Sequence, residues 1–227
     1  MKNKIYSLLT KPFSVILVLL IATLLSLADR NFGYFFGLGV VIFMAWKNKW
    51  NWAIFGFGKK INRKTVGKSL LLTIPLFIGL SIIEPFLQNY FGAFNLSSVD
   101  DIRDDVVNYA ILMVIMWVFA AYGEELLFRG YYMQGFAKLF GNTNANWLFS
   151  ALLISVYFGI SHAYQGIAGI IAVTLGGFYF STVYYTNRDN LAIGALVHGF
   201  YDTIGLTLIY LNKDGVFSDW IYNVIVS

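Results

Sequence analysis

Residues 106–128 read VVNYAILMVIMWVFAAYGEELLF, and this stretch decides the fold class. From Val106 to Gly123 no side chain carries a charge. A helix crossing a bilayer needs about 20 mostly apolar residues, within a range near 17–25. Outward from it, further apolar runs occupy Phe13–Ala28, Gly33–Trp46, Ser69–Ile83, Trp147–Tyr164, Ile167–Thr186 and Leu191–Leu211. The second and third runs are short unless their flanks contribute, and Trp220–Val226 is too short to cross alone. The pattern predicts an all-α, polytopic transmembrane helix bundle of about seven spans, with six and eight as the neighbouring counts. Residues 1–105 then hold a membrane hairpin, a basic loop and the third span. Residues 106–227 hold the remaining helices of one integral membrane domain.

Composition agrees. Of 227 residues, 58% are hydrophobic and only 12% charged, whereas a soluble domain carries about 25% charged residues. A soluble enzyme is excluded. The absence of cysteine excludes disulfides, thiolate metal sites and a cysteine nucleophile. Eleven of the sixteen Lys and Arg residues fall within the first 68 positions. Because they lie between apolar runs, they speak for topology and not for nucleic-acid binding.

The loop at 47–68 carries Lys47, Lys49, Lys59, Lys60, Arg63, Lys64 and Lys68 with no acid. The positive-inside rule places it in the cytoplasm, and the N-terminus with it. The connection with Asp100, Asp101, Arg103, Asp104 and Asp105 is net acidic and reads as external. Trp46, Trp50 and Trp52 suit an interfacial aromatic belt. The first run follows Lys2, Lys4 and Lys11, and reads as half of a membrane hairpin in preference to a cleaved leader. Small residues at Gly169, Ala172, Gly176 and Gly177 permit close helix packing.

Ionisable side chains within a bilayer cost at least about 2.5–3.5 kcal/mol and mark functional sites. All three glutamates, Glu84, Glu124 and Glu125, lie in or beside apolar runs, as do both histidines, His162 and His198. Arg129 and Asp202 join them. Glu125 and Arg129 stand four apart on one helical face, as do Phe158 and His162, and His198 and Asp202. The plain alternatives are a helix-end salt bridge with Arg129 snorkelling, an interfacial histidine, and a pair that joins helices. A single shared site accounts for all three at once. Glu84-Pro85 reads as the external end of the third span.

Taken in order, Glu124-Glu125-x-x-x-Arg129, Phe158-x-x-x-His162 and His198-x-x-x-Asp202 resemble the motifs of the CPBP (Abi) family of intramembrane proteases. That family includes the type II CAAX-prenyl endopeptidases and bacteriocin-processing or immunity proteins. The resemblance implies an endopeptidase acting on a membrane-associated peptide or protein. Glu124 is its general base, with His162 helping to hold the attacking water. Glu125 and Arg129 support the site, and His198 helps stabilise the oxyanion with Asp202 beside it. The family often has Asn at position 202, which can donate; ionised Asp202 can only accept, and an orienting role beside His198 is preferred. Glutamate catalysis without a cofactor is favoured. Zinc held by Glu124, His162 and His198 is the alternative, although the HExxH pattern is absent.

Competing functions are a non-catalytic immunity or regulatory protein of the same family, and a small transporter. The second lacks paired halves with matching interruptions. A bacterial plasma membrane is the favoured location. The motifs name neither the substrate nor an oligomeric state.

The site also demands a particular register. Glu124 lies about 27 Å along a helix beginning at Val106, whereas His162 ends the next run. They come level if the fourth helix continues through Tyr131–Phe140 and turns at Gly141-Asn142-Thr143-Asn144, since each is 19 residues from Thr143. His198, eight residues beyond Asn190, is then shallow, and a re-entrant or broken segment is expected around it.

Overall fold

The computed structural model describes residues 4–226; Lys2, at the start of the basic N-terminal stretch, lies outside them. The described chain is all-helical apart from one isolated bridge between Phe57 and Asn190. Its order is α1 (Lys4–Leu9), α2 (Ser14–Ser26), α3 (Arg30–Lys47), α4 (Arg63–Phe91) and α5 (Val106–Ile115). A π-helical segment (Met116–Met133) leads into α6 (Gln134–Leu139). The rest is α7 (Asn144–Ser161), α8 (Gly166–Thr186), α9 (Leu191–Tyr210) and α10 (Val216–Val226).

Local chemistry sets these boundaries. Side-chain oxygens of Asp29, Asn62, Asp105 and Thr143 accept backbone N–H groups at the starts of α3, α4, α5 and α7, satisfying donors that have no helical partner. Gly141 at φ 110 and Asn142 at φ 61 reverse the chain between α6 and α7.

Among the described residues five helices are long and apolar enough to cross a membrane: Arg63–Phe91, Val106–Leu139, Asn144–Ser161, Ala163–Thr186 and Leu191–Tyr210. The expected hairpin of residues 13–46 is present as α2 packed on α3, of which α2 is the shorter element. Helix α2 has 13 residues, about 20 Å at 1.5 Å per residue, and α3 has Arg30 and Lys47 at its ends. The large side chains turned outward are apolar, including Leu24, Leu71, Val114 and Leu152.

Three expectations about register meet the structure differently. The fourth helix does continue to Leu139 and turns before Asn144. Glu84-Pro85, however, does not end the third span. Helix α4 runs on to Phe91 with Pro75 and Pro85 inside it, as membrane helices can where neighbouring helices satisfy the backbone groups that a proline frees. No broken segment surrounds His198 either; α9 is continuous from Leu191 to Tyr210.

The loops gather at the two ends of the bundle. At one end Leu191 N–H bonds to the Gly56 carbonyl at 2.9 Å, Lys59 pairs with Asp189 at 2.5 Å, and Arg188 reaches Asn144 Oδ1 at 2.9 Å. At the other, Asn95 N–H bonds to the Gln165 carbonyl at 3.1 Å and Asp104 N–H to the Tyr210 carbonyl at 3.2 Å. There Arg103 holds Asp214 through two nitrogens, at 2.8 and 3.0 Å.

Candidate active site

The segment from Met116 to Met133 carries both motif glutamates and is wider than an α-helix. The N–H of Gln134 that closes it bonds to the Arg129 carbonyl, five residues back. Such i→i+5 turns are rare and recur at functional sites. The sequence gives no warning of this geometry.

On this segment the adjacent glutamates differ sharply. The Glu125 side chain is 0% exposed and its Oε1 accepts from Arg129 Nη1 at 2.8 Å. Glu124 is 19% exposed and lines a cavity of about 740 Å³. One carboxylate is therefore structural in position and the other reachable.

Arg129 is also 0% exposed, so it does not snorkel. Its Nη2 donates to the Gly177 carbonyl at 2.7 Å and its Nε to Ser181 Oγ at 3.3 Å. The guanidinium lies 4.7 Å from the Phe158 ring centre and 5.4 Å from that of Phe180. Each guanidinium nitrogen has a hydrogen-bond acceptor and two aromatic rings lie near the cation, which is how a buried charge is accommodated.

His198 joins the two glutamates. Its Nδ1 is 3.1 Å from Glu125 Oε1. Its Nε2 is 3.3 Å from Asp202 Oδ2 and 4.0 Å from Glu124 Oε2. The ring stacks on Phe180 with centroids 4.4 Å apart and 16° between planes. His162 stands at the C-terminus of α7, where Nδ1 meets the Phe158 carbonyl at 2.8 Å. A carbonyl only accepts, so Nδ1 carries a proton, and in the neutral ring that leaves Nε2 as an acceptor. His162 lines the same cavity as Glu124, His198 and Asp202.

All six residues singled out from sequence thus surround one cavity or stand directly behind its wall. Phe180, Ser181 and the Gly177 carbonyl were not foreseen as parts of the site. Gly177 belonged to the small-residue pattern on α8, and its role beyond packing is to bring a backbone carbonyl within reach of Arg129. Glu84 lines the cavity as well, on α4.

The alternative zinc set would draw on Glu124, His162 and His198. Catalytic zinc takes three protein ligands with a fourth position open. Among the described residues no three His, Asp or Glu side chains stand so as to hold a metal ion. Both His198 nitrogens already face carboxylates.

Residues 106–204 match the model of a known family, described as type II CAAX prenyl endopeptidase Rce1-like. Over 180 residues the chain is 27% identical to an uncharacterized protein of Mycoplasma capricolum subsp. capricolum, covering 69% of this chain and 51% of that protein. The chain therefore spans about half the length of the curated relative it matches. No solved structure matches it.

Proposed function

We propose that this chain, assigned to the CPBP/CAAX protease family by the match over residues 106–204, is an intramembrane endopeptidase in which Glu124 activates water. Protease activity is the family's; the glutamate mechanism is our reading. The observation that carries it is the split between neighbours: Glu124 reaches the cavity 4.0 Å from His198 Nε2, while Glu125 is sealed behind it with Arg129.

In this reading Glu124 takes a proton from water as the oxygen attacks the scissile carbonyl, and returns it to the leaving amine. A positioned general base contributes about 10²–10⁴-fold. His162 Nε2, the acceptor nitrogen, holds the same water. His198 Nε2–H donates to the developing oxyanion, a contribution of about 2.7–4 kcal/mol. Glu125 accepts from Nδ1 and fixes the ring, Arg129 neutralises Glu125, and Asp202 orients Nε2–H. The cofactor-free reading draws support from the donor set described above. The substrate is a membrane-associated peptide or protein segment, reached within the lipid bilayer. The proposed setting is a bacterial plasma membrane with the basic loop and N-terminus cytoplasmic.

The test compares wild type with Glu124→Gln, purified in detergent, on a library of membrane-anchored peptides read by mass spectrometry. Cleavage by the wild type, surviving exhaustive chelation and lost in the folded variant by about 10²-fold or more, is the expected result. Cleavage that persists in Glu124→Gln removes the assignment of Glu124, and cleavage that stops on chelation and returns with zinc removes the metal-free mechanism.

A further inference from the structure

The residue next to Glu124 admits a side chain from a different part of the protein. Tyr34 lies on α3, within the N-terminal hairpin and outside residues 106–204 that match the family model. Its hydroxyl donates to the Phe119 carbonyl at 2.7 Å, and the side chain lines the same cavity as Glu124. In an i→i+5 helix the carbonyl of residue 119 is also the acceptor for the N–H of residue 124. A carbonyl oxygen has two lone pairs, so both donors are accommodated. The Tyr34 bond therefore falls on the acceptor that anchors Glu124's own backbone.

Gly123 is what lets the hydroxyl in. A Cβ at position 123 would fall on the Tyr34 oxygen, whereas the next nearest atoms, the Val118 carbonyl oxygen and Tyr34 Cζ, lie 3.3 and 3.5 Å away. The obstacle to a side chain here is a single oxygen atom. The neighbouring Phe35 ring meets Phe119 edge-on at 5.8 Å, so the same turn of α3 contacts residue 119 twice.

We propose that Tyr34 is a positioning residue for Glu124, pinning the widened turn so that the carboxylate faces the cavity and His198. The N-terminal hairpin then completes the active site. This inference rests on the reading of Glu124 as the base. The test uses the full chain in detergent, with Tyr34→Phe, Gly123→Ala, their double variant and Glu124→Gln.

In Tyr34→Phe, kcat is expected to fall about ten- to a hundredfold with KM unchanged, since a misplacement near 1 Å costs on the order of 10²-fold. Hydrogen exchange of the amides at 119–124 should rise about tenfold, the size expected for one lost hydrogen bond. Gly123→Ala should lose both activity and thermal stability, and adding Tyr34→Phe should restore part of each, because the colliding oxygen is gone. Unchanged exchange at 119–124 in Tyr34→Phe, or a double variant no better than Gly123→Ala alone, overturns the proposal. If Glu124→Gln still cleaves, the reading of Glu124 falls by itself. The exchange and stability measurements then still decide whether Tyr34 pins this turn.

Discussion

Glu125 and His198 meet through a single oxygen: Glu125 Oε1 lies 3.1 Å from His198 Nδ1, and the same oxygen takes Arg129 Nη1 at 2.8 Å. The other oxygen, Oε2, has no hydrogen-bond partner among the described residues. One atom therefore links the buried cation to the histidine that faces the cavity. Because an ionised carboxylate only accepts, Nδ1 must donate, and the orientation of the ring follows.

Removing Arg129 leaves Glu125 charged, buried and without its cation. Arg129→Met is expected to destabilise the protein by about 3–5 kcal/mol. The double variant Glu125→Gln/Arg129→Met should lose less than the sum of the two single changes. Thermal unfolding of the four proteins in one detergent measures both.

Two adjacent glycines on α8 should behave differently. A Cβ on Gly177 would stand 2.9 Å from Phe158 Cδ1 and 3.2 Å from Arg129 Nη2, whereas one on Gly176 would meet only Leu80 Cδ1 at an ordinary 3.6 Å. Gly177→Ala is expected to cost about 1–3 kcal/mol and to lower cleavage. Gly176→Ala should unfold within a degree or two of the wild type, as substitutions that disturb no packed contact do.

Asp202 tests how Nε2 of His198 is held. If its carboxylate orients the ring, Asp202→Asn should cut kcat at least about tenfold, at the low end of what a catalytic hydrogen bond supplies, with the unfolding temperature unchanged. An Asn variant as active as the wild type would instead assign position 202 a donor role.

At the loop end of the bundle, the two hydrogen bonds from Arg103 hold the Asp214 carboxyl below the usual aspartate range. A folded-state pKa below the unfolded one gives stability that is present above about pH 4 and lost as pH falls through the folded value. Both side chains are about a third exposed, at 29% and 33%, so solvent screening limits the contribution to roughly 1 kcal/mol or less. Asp214→Asn should unfold slightly earlier than wild type at pH 6, and the difference should shrink as pH falls below about 4.

The amino-acid sequence by itself determined the helical membrane architecture, because span length and apolarity are properties of each segment against the bilayer. It also determined the turn at Gly141–Asn144, from the equal separation of Glu124 and His162 from Thr143, and the three pairs at i,i+4. Those relations depend only on distance along one helix or across one short turn.

Tertiary packing decided the rest. Consecutive glutamates cannot be ranked by spacing; Glu124 faces the cavity and Glu125 the interior because the widened segment sits between α3 and α9. Gly37 shows the kind of contact that sets this rotation, since a Cβ there would be 2.9 Å from both Leu127 Cδ1 and the Tyr132 hydroxyl. His198 and Glu125 are 73 positions apart, and Tyr34 and Phe119 are 85 apart. No local periodicity encodes which faces of distant helices meet. That is set by the shapes of small and aromatic side chains once the helices pack, and in this protein it places a tyrosine from the N-terminal hairpin beside Glu124.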